Sequence, residues 1–239
     1  AVGNRNSLKR HMGDIIVFNG EPITFDYLYN PTHGLLDLSD VAIQKTFEGV
    51  DMGDPDFVKM LSDASTQVKT QKLLLVAHSQ GNFYANNLYE AVTKSSDVSM
   101  KSIGVYSVAT PASYVAGNGI YRTSDTDTVI NRAREVLPGK FLPAHDSIPY
   151  KESDDSGRGH GFREVYLNYR GEEIKNEIEA SLGKLSVDPS HKENSTCINP
   201  PKALTLFQKV TGPFVYTADF SLATGAIALT GIKSVAVNT

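Results

Sequence analysis

Residues 73–81, Leu-Leu-Leu-Val-Ala-His-Ser-Gln-Gly, constrain the fold of this chain more than any other stretch. A short apolar, partly β-branched run bounded by turn residues reads as a strand buried on both faces, here Leu73–Ala77. His78-Ser79-Gln80 then makes the turn, and a helical pattern opens at Gly81. Ser79 is flanked at two residues' distance by Ala77 and Gly81. That approximates G-x-S-x-G, with alanine in place of the first glycine, and small residues are what a strained strand-to-helix turn requires. Such a turn would stand the Ser79 hydroxyl at the carboxyl edge of a sheet, near the positive end of the next helix. A serine capping an ordinary βα turn is the competing reading.

The flanking sequence supports the first reading. Tyr84, Leu88, Ala91 and Val92 fall at i, i+4, i+7 and i+8, one apolar stripe on a helix. Residues 101–110 read as the next strand, stopped by Pro111. Thr128-Val129-Ile130 reads as a third short strand, just after Asp125 and Asp127. Gly157-Arg-Gly-His-Gly-Phe then carries His160 between glycines into a last helix, whose core positions are Ile174, Ile178 and Leu182. Serine, then acid, then histidine, each at a strand end, is one of the few chain orders known for a serine–histidine–acid set.

On these residues the chain resembles the α/β-hydrolase family, in particular its lipase and esterase branch, over roughly residues 22–182. Val105-Tyr-Ser-Val-Ala-Thr-Pro-Ala-Ser resembles the strand-then-proline segment after the nucleophile helix. Thr126-Asp127-Thr128-Val129-Ile130 resembles the acid-bearing segment, and Gly159-His160-Gly161-Phe162 the histidine loop. The resemblance implies an α/β fold, a mostly parallel sheet flanked by helices, and hydrolysis of carboxylic esters through an acyl-serine intermediate. It assigns Ser79 as nucleophile, His160 as base and then acid, and Asp127 as the group orienting the imidazole, ahead of Asp125 and then Asp146. It implies no cofactor and no metal. A serine peptidase, thioesterase or acyltransferase would share the same residues, and an inactive binding module would share the fold.

The developing oxyanion needs two aimed N–H donors. Gln80, after the nucleophile, supplies one. Phe18-Asn19-Gly20 has the look of the other, between strand candidates at 15–18 and 23–29. Only Glu21-Pro22 separates it from the second of these, whereas parallel strands need a crossover of a dozen or more residues. Either Asn19-Gly20 is a hairpin turn, or the donor strand lies upstream of Ala1 and the sheet lacks its first strands. The crossover requirement favours the second, with residues 6–12 ending the crossover helix.

A chain of 239 residues with 40% hydrophobic content is long enough for one sizeable α/β core, taken as residues 1–186. Its net charge of −4, without long runs of one sign, gives no footprint for nucleic acid. Cys197 is the only cysteine, so neither an internal disulfide nor a cysteine-based zinc site is available. Helices are expected at about 35–47 and behind Asp54-Pro55, through Phe57, Met60, Leu61, Ala64 and Val68. Residues 133–158 read as a long loop, a candidate substrate wall in which Phe141, Leu142 and Ile148 offer apolar lining. Residues 187–239 form a polar linker and then an apolar, β-leaning tail suited to contact with a lipid surface rather than to spanning a membrane.

Smaller signals carry less. Gly117-Asn-Gly119 is a turn, not a dinucleotide loop, and Asp125-Thr-Asp127 lacks the remaining positions of a calcium loop. His145-Asp146 has no partner histidine at i+4. His78 is expected to pack or hydrogen-bond beside the turn, and His33 to border the pocket or face solvent. His11 and His191 look idle.

Overall fold

The computed structural model describes residues 2–13, 17–28, 55–67, 72–94 and 98–188. The helix expected at about 35–47, the Asp54 cap, His33 and the tail beyond 188 lie outside these residues. In chain order the elements are helix α1 (Val2–Met12), strands β1 (Val17–Phe18) and β2 (Glu21–Pro22), and helix α2 (Pro55–Gln67). There follow β3 (Leu73–His78), α3 (Gly81–Lys94), β4 (Ile103–Val108), β5 (Ile120–Arg122) and α4 (Thr128–Val136). A 3-10 turn (Ala116–Asn118) lies between β4 and β5, and a short helix α5 (Glu152–Asp155), a π-helical turn (Phe162–Leu167) and α6 (Asn168–Gly183) complete the described chain.

β3, β4 and β5 form a parallel sheet in that order, with Leu73 opposite Ile103 and His78 opposite Val108. Helices cover both faces, an α/β arrangement, and the two-residue period of a strand divides the core accordingly. Leu75, Ala77, Ile103 and Val105 point to one side, where Met60, Ala64, Tyr84, Leu88 and Val92 of α2 and α3 meet them. Tyr106 and Val108 point to the other, against Leu8 and Met12 of α1, Ile130 of α4, and Val165, Tyr166, Ile174 and Ile178. β4 is therefore covered on both faces, which is why it reads as an almost unbroken apolar run.

Four sequence expectations change. Thr128-Val129-Ile130 is not a strand but the first turn of α4. Asp127 decides this by capping: its side chain accepts hydrogen bonds from the N–H groups of Val129 and Ile130, both at 3.1 Å. Capping outweighs the weak strand preference of three β-branched residues. The third strand is Ile120–Arg122 instead.

Residues 23–28 carry no strand either. β1 pairs antiparallel with β2, Val17 opposite Pro22, and Asn19 and Gly20 are the turn between them. Both have positive φ, 50° and 83°, the backbone that a two-residue hairpin takes from Asn-Gly. Of the two readings of Asn19-Gly20, the hairpin turn is the one formed.

The segment expected as one loop over 133–158 is shorter and tied down. α4 runs to Val136, α5 occupies Glu152–Asp155, and Ser124 bridges to Asp146. Ile148, expected to line a pocket, is fully buried in the second core cluster. Asp146 pairs with Arg122 and Arg170, Arg122 also pairs with Glu177, and the Tyr106 hydroxyl donates to Glu177 at 2.6 Å. This network fastens the segment between α4 and α5 to β4, β5 and α6. Among the described residues no helix is long and apolar enough to cross a membrane.

Candidate functional site

β3 delivers Ser79 to the carboxyl edge of the sheet, where the chain must reverse into α3 within two residues. The reversal forces Ser79 to φ 56°, the left-handed region that costs a non-glycine residue about 1–3 kcal/mol. Surrounding bonds hold it there. Ser79 N donates to Val108 O at 3.1 Å, and the fully buried Asn82 donates from Nδ2 to Ser79 O at 2.7 Å and to Val108 O at 3.0 Å. Gln80 follows at the amino end of α3, and among the described residues its N–H has no acceptor. Asn82 lies off the apolar stripe of Tyr84, Leu88, Ala91 and Val92, so no signal in the sequence marked it.

Asp127, the cap of α4, is wholly buried, and His160 is 4% exposed. His160 Nδ1 lies 2.9 Å from Asp127 Oδ2 and 3.1 Å from Oδ1, while Nε2 lies 2.8 Å from Ser79 Oγ. The tautomer follows from the partners. Asp127 accepts from Val129 N, Ile130 N and the Tyr166 hydroxyl (3.0 Å), so it acts as a carboxylate acceptor and Nδ1 must carry the proton. Nε2 is then left as acceptor for the Ser79 O–H. Such an array can take the hydroxyl proton as Ser79 Oγ attacks an electrophile, and it stabilises the imidazolium that forms.

Tyr166 was not singled out in the sequence, because its part depends on a π-helical turn that brings it back over Asp127. Its hydroxyl accepts from Ser124 N at 3.0 Å, so its own proton must go to Asp127. Burial, and then the neighbouring Asp127 charge, push its pKa well above the ordinary tyrosine value, so that proton stays in place. Asp155 was missed for a similar reason. Its Oδ2 accepts from His160 N at 2.9 Å and Gly161 N at 2.7 Å, closing the histidine loop. Gly159 allows that closure at φ 64°, where an added methyl would meet Thr126 O at 2.7 Å.

The remaining candidates stand apart from this group. Asp125 is exposed, and the Asp146 carboxylate is engaged by Arg122 and Arg170. Burial raises the Asp146 pKa, but the hydrogen bonds from Arg170 and Arg122 outweigh it and hold the carboxyl below its usual range. His145 is exposed and sets its ring edge-on to Tyr121 at 4.6 Å, and His11 donates within α1 to Ser7 O.

Asn19 and Gly20 are exposed and are not brought to Ser79. Their hairpin lies at the end of α6, where a methyl on Gly183 would stand 3.7 Å from the Phe18 ring. That end of α6 meets the amino edge of the sheet, since Ser186 N donates to Lys101 O just ahead of β4. The hairpin and Ser79 are therefore at opposite edges.

Comparison with protein-family models, with curated proteins and with solved structures finds no match to this chain.

Proposed function

We propose that this protein is a serine hydrolase of α/β-hydrolase fold that cleaves carboxylic esters through an acyl-serine intermediate. The observation that carries the reading is the continuous hydrogen-bonded path Ser79 Oγ–His160–Asp127, built from three distant segments around a serine held at positive φ. Arrays of this kind are recognised by geometry and roles rather than by sequence position. Ser79 Oγ attacks the ester carbonyl while its proton passes to His160 Nε2, and Asp127 stabilises the imidazolium. The imidazolium returns the proton to the departing alkoxide, which leaves as the alcohol. Water, deprotonated by the same Nε2, then releases the acid and regenerates Ser79. Gln80 N–H, at the positive end of α3, is the oxyanion donor this chain's described residues offer.

The ester class rests on the resemblance of the serine, acid and histidine segments to lipases and esterases, with lipid-like esters as the substrate. Hydrolysis of p-nitrophenyl acyl esters is the direct test. Turnover by the wild type that falls by about 10⁴-fold or more in Ser79→Ala is the expected result. Ready cleavage of peptides with no turnover of any acyl ester would redirect the reading to a peptidase, and a Ser79→Ala variant keeping a tenth of the activity would end it.

A further inference from the structure

We propose that His78 is a positioning residue: it fastens the main chain of His160 so that one imidazole meets Ser79 and Asp127 together. The inference rests on the ester-hydrolase reading for its kinetic consequence and on geometry alone for its structural one. His78 Nε2 lies 2.8 Å from the carbonyl oxygen of His160. A carbonyl only accepts, so Nε2 carries the proton and His78 is the donor. Because His78 is bonded directly to Ser79, this single contact couples the serine turn to the histidine loop.

The loop needs such an anchor. Gly159 and Gly161 flank His160, and glycine lends a loop no stiffness of its own. Asp155 secures the N–H side of His160, and the carbonyl side is left to His78. With both peptide units fixed, only the side-chain torsions of His160 remain, and its two ring bonds set those.

The ring also sits where its charge state matters. Its centroid is 4.8 Å from that of His160, 5.4 Å from Phe162 and 6.2 Å from Tyr166. A cation there would oppose the imidazolium that His160 must become. Burial, and then the closeness of His160, push the His78 pKa down to about 3, so the ring stays neutral while still donating. Phenylalanine would fill the same space against Phe162 and Tyr166 but donate nothing, whereas glutamine places an N–H2 group near the position of Nε2.

Those two substitutions separate positioning from packing. If His78 positions the base, His78→Phe lowers kcat by about 10- to 100-fold with KM unchanged, the scale expected of a reacting group displaced by an ångström or less. His78→Gln then stays within a few-fold of wild type. If His78 only packs, the order reverses, with phenylalanine tolerated and glutamine the worse. A second measurement does not depend on turnover. The proton between His160 Nδ1 and Asp127 should give a far-downfield proton resonance in the wild type, absent in Asp127→Asn. It should persist in His78→Gln and be lost or broadened in His78→Phe.

Should His78→Phe fail to fold, as judged by circular dichroism, His78→Met takes its place as a non-donor. Wild-type kcat together with an unchanged downfield proton in the non-donor variant overturns the proposal. Absence of ester turnover in the wild type, with the resonance still following the donor, instead overturns the functional reading and leaves the positioning role standing.

Discussion

Asp127 answers to two elements at once. One oxygen caps α4 through Val129 N and Ile130 N, and the other receives Tyr166 and the shorter of the two His160 Nδ1 contacts. Asp127→Asn keeps the cap but presents an N–H2 group to partners that are themselves donors. The imidazole then loses the acceptor that fixes its tautomer, and kcat on an acyl ester should fall by about 10⁴-fold with the helix content unchanged. Tyr166→Phe removes one donor and leaves Ser124 N without its acceptor, for a stability loss of about 1–3 kcal/mol in urea unfolding. Its kcat should fall far less than that of Asp127→Asn, and equal losses in the two would place Tyr166 on the reaction path itself. Asp127 was picked out by its place in the serine–acid–histidine order and read there as the start of a strand. Ser79 and His160 were legible in the sequence because each sits beside a local backbone signal, a strand end and a glycine pair. Tyr166, Asp155 and Asn82 were not, because their parts are defined only by what they reach across the fold.

Capping and turn chemistry decide the elements that the apolar pattern misassigns. Asp127 turns a β-branched triplet into a helix, and the pair of positive φ values at Asn19 and Gly20 makes the hairpin turn that was one of two readings there. Both signals were present in the sequence and were outweighed there by strand propensity and by the need for an oxyanion donor. The π-helical turn over Phe162–Leu167 leaves no comparable mark, since it places buried Phe162, Val165, Tyr166 and Leu167 by packing rather than by period. Two glycines give this scale its test. At Gly159, φ 64° combines with contacts of 2.4 Å to Tyr150 and 2.7 Å to Thr126 O for an added methyl, so Gly159→Ala carries both strain and a clash. Gly20→Ala carries strain alone, as nothing lies within 4 Å. Chemical denaturation should show a loss above about 2 kcal/mol for the first and about 1 kcal/mol for the second, and the first alone should lower turnover.

Over the molecule as a whole, the two-sided core was legible because strands of a covered parallel sheet read as near-continuous apolar runs, as β3 and β4 do. The network of Arg122, Asp146, Arg170 and Glu177 was not, since ion pairs between distant segments leave no periodic trace. Acid should separate two contributions to stability. His78 has a folded pKa of about 3 against an unfolded value near 6.5. The unfolded chain therefore binds the proton first, and this contribution is complete above about pH 6.5 and is lost as pH falls toward 3. Between pH 7 and 5 the wild type should lose about 2 kcal/mol from this group, a loss missing in His78→Gln. Asp146, held low by its arginines, contributes above about pH 4 and loses that contribution only below it. Unfolding curves for the two proteins that stay parallel from pH 7 to 5 would count against a neutral, donating His78. Removing residues 203–239 should leave hydrolysis of monomeric esters intact and reduce preference for a lipid interface, if the tail is the surface-seeking part. The central claim, that Ser79 is an activated nucleophile, has its most direct measurement in reaction with a fluorophosphonate followed by peptide mass analysis. One adduct per chain, on the peptide holding Ser79, absent in Ser79→Ala and strongly slowed in His160→Ala, is the result expected. A folded protein that takes no adduct, or takes it equally in Ser79→Ala, contradicts the account.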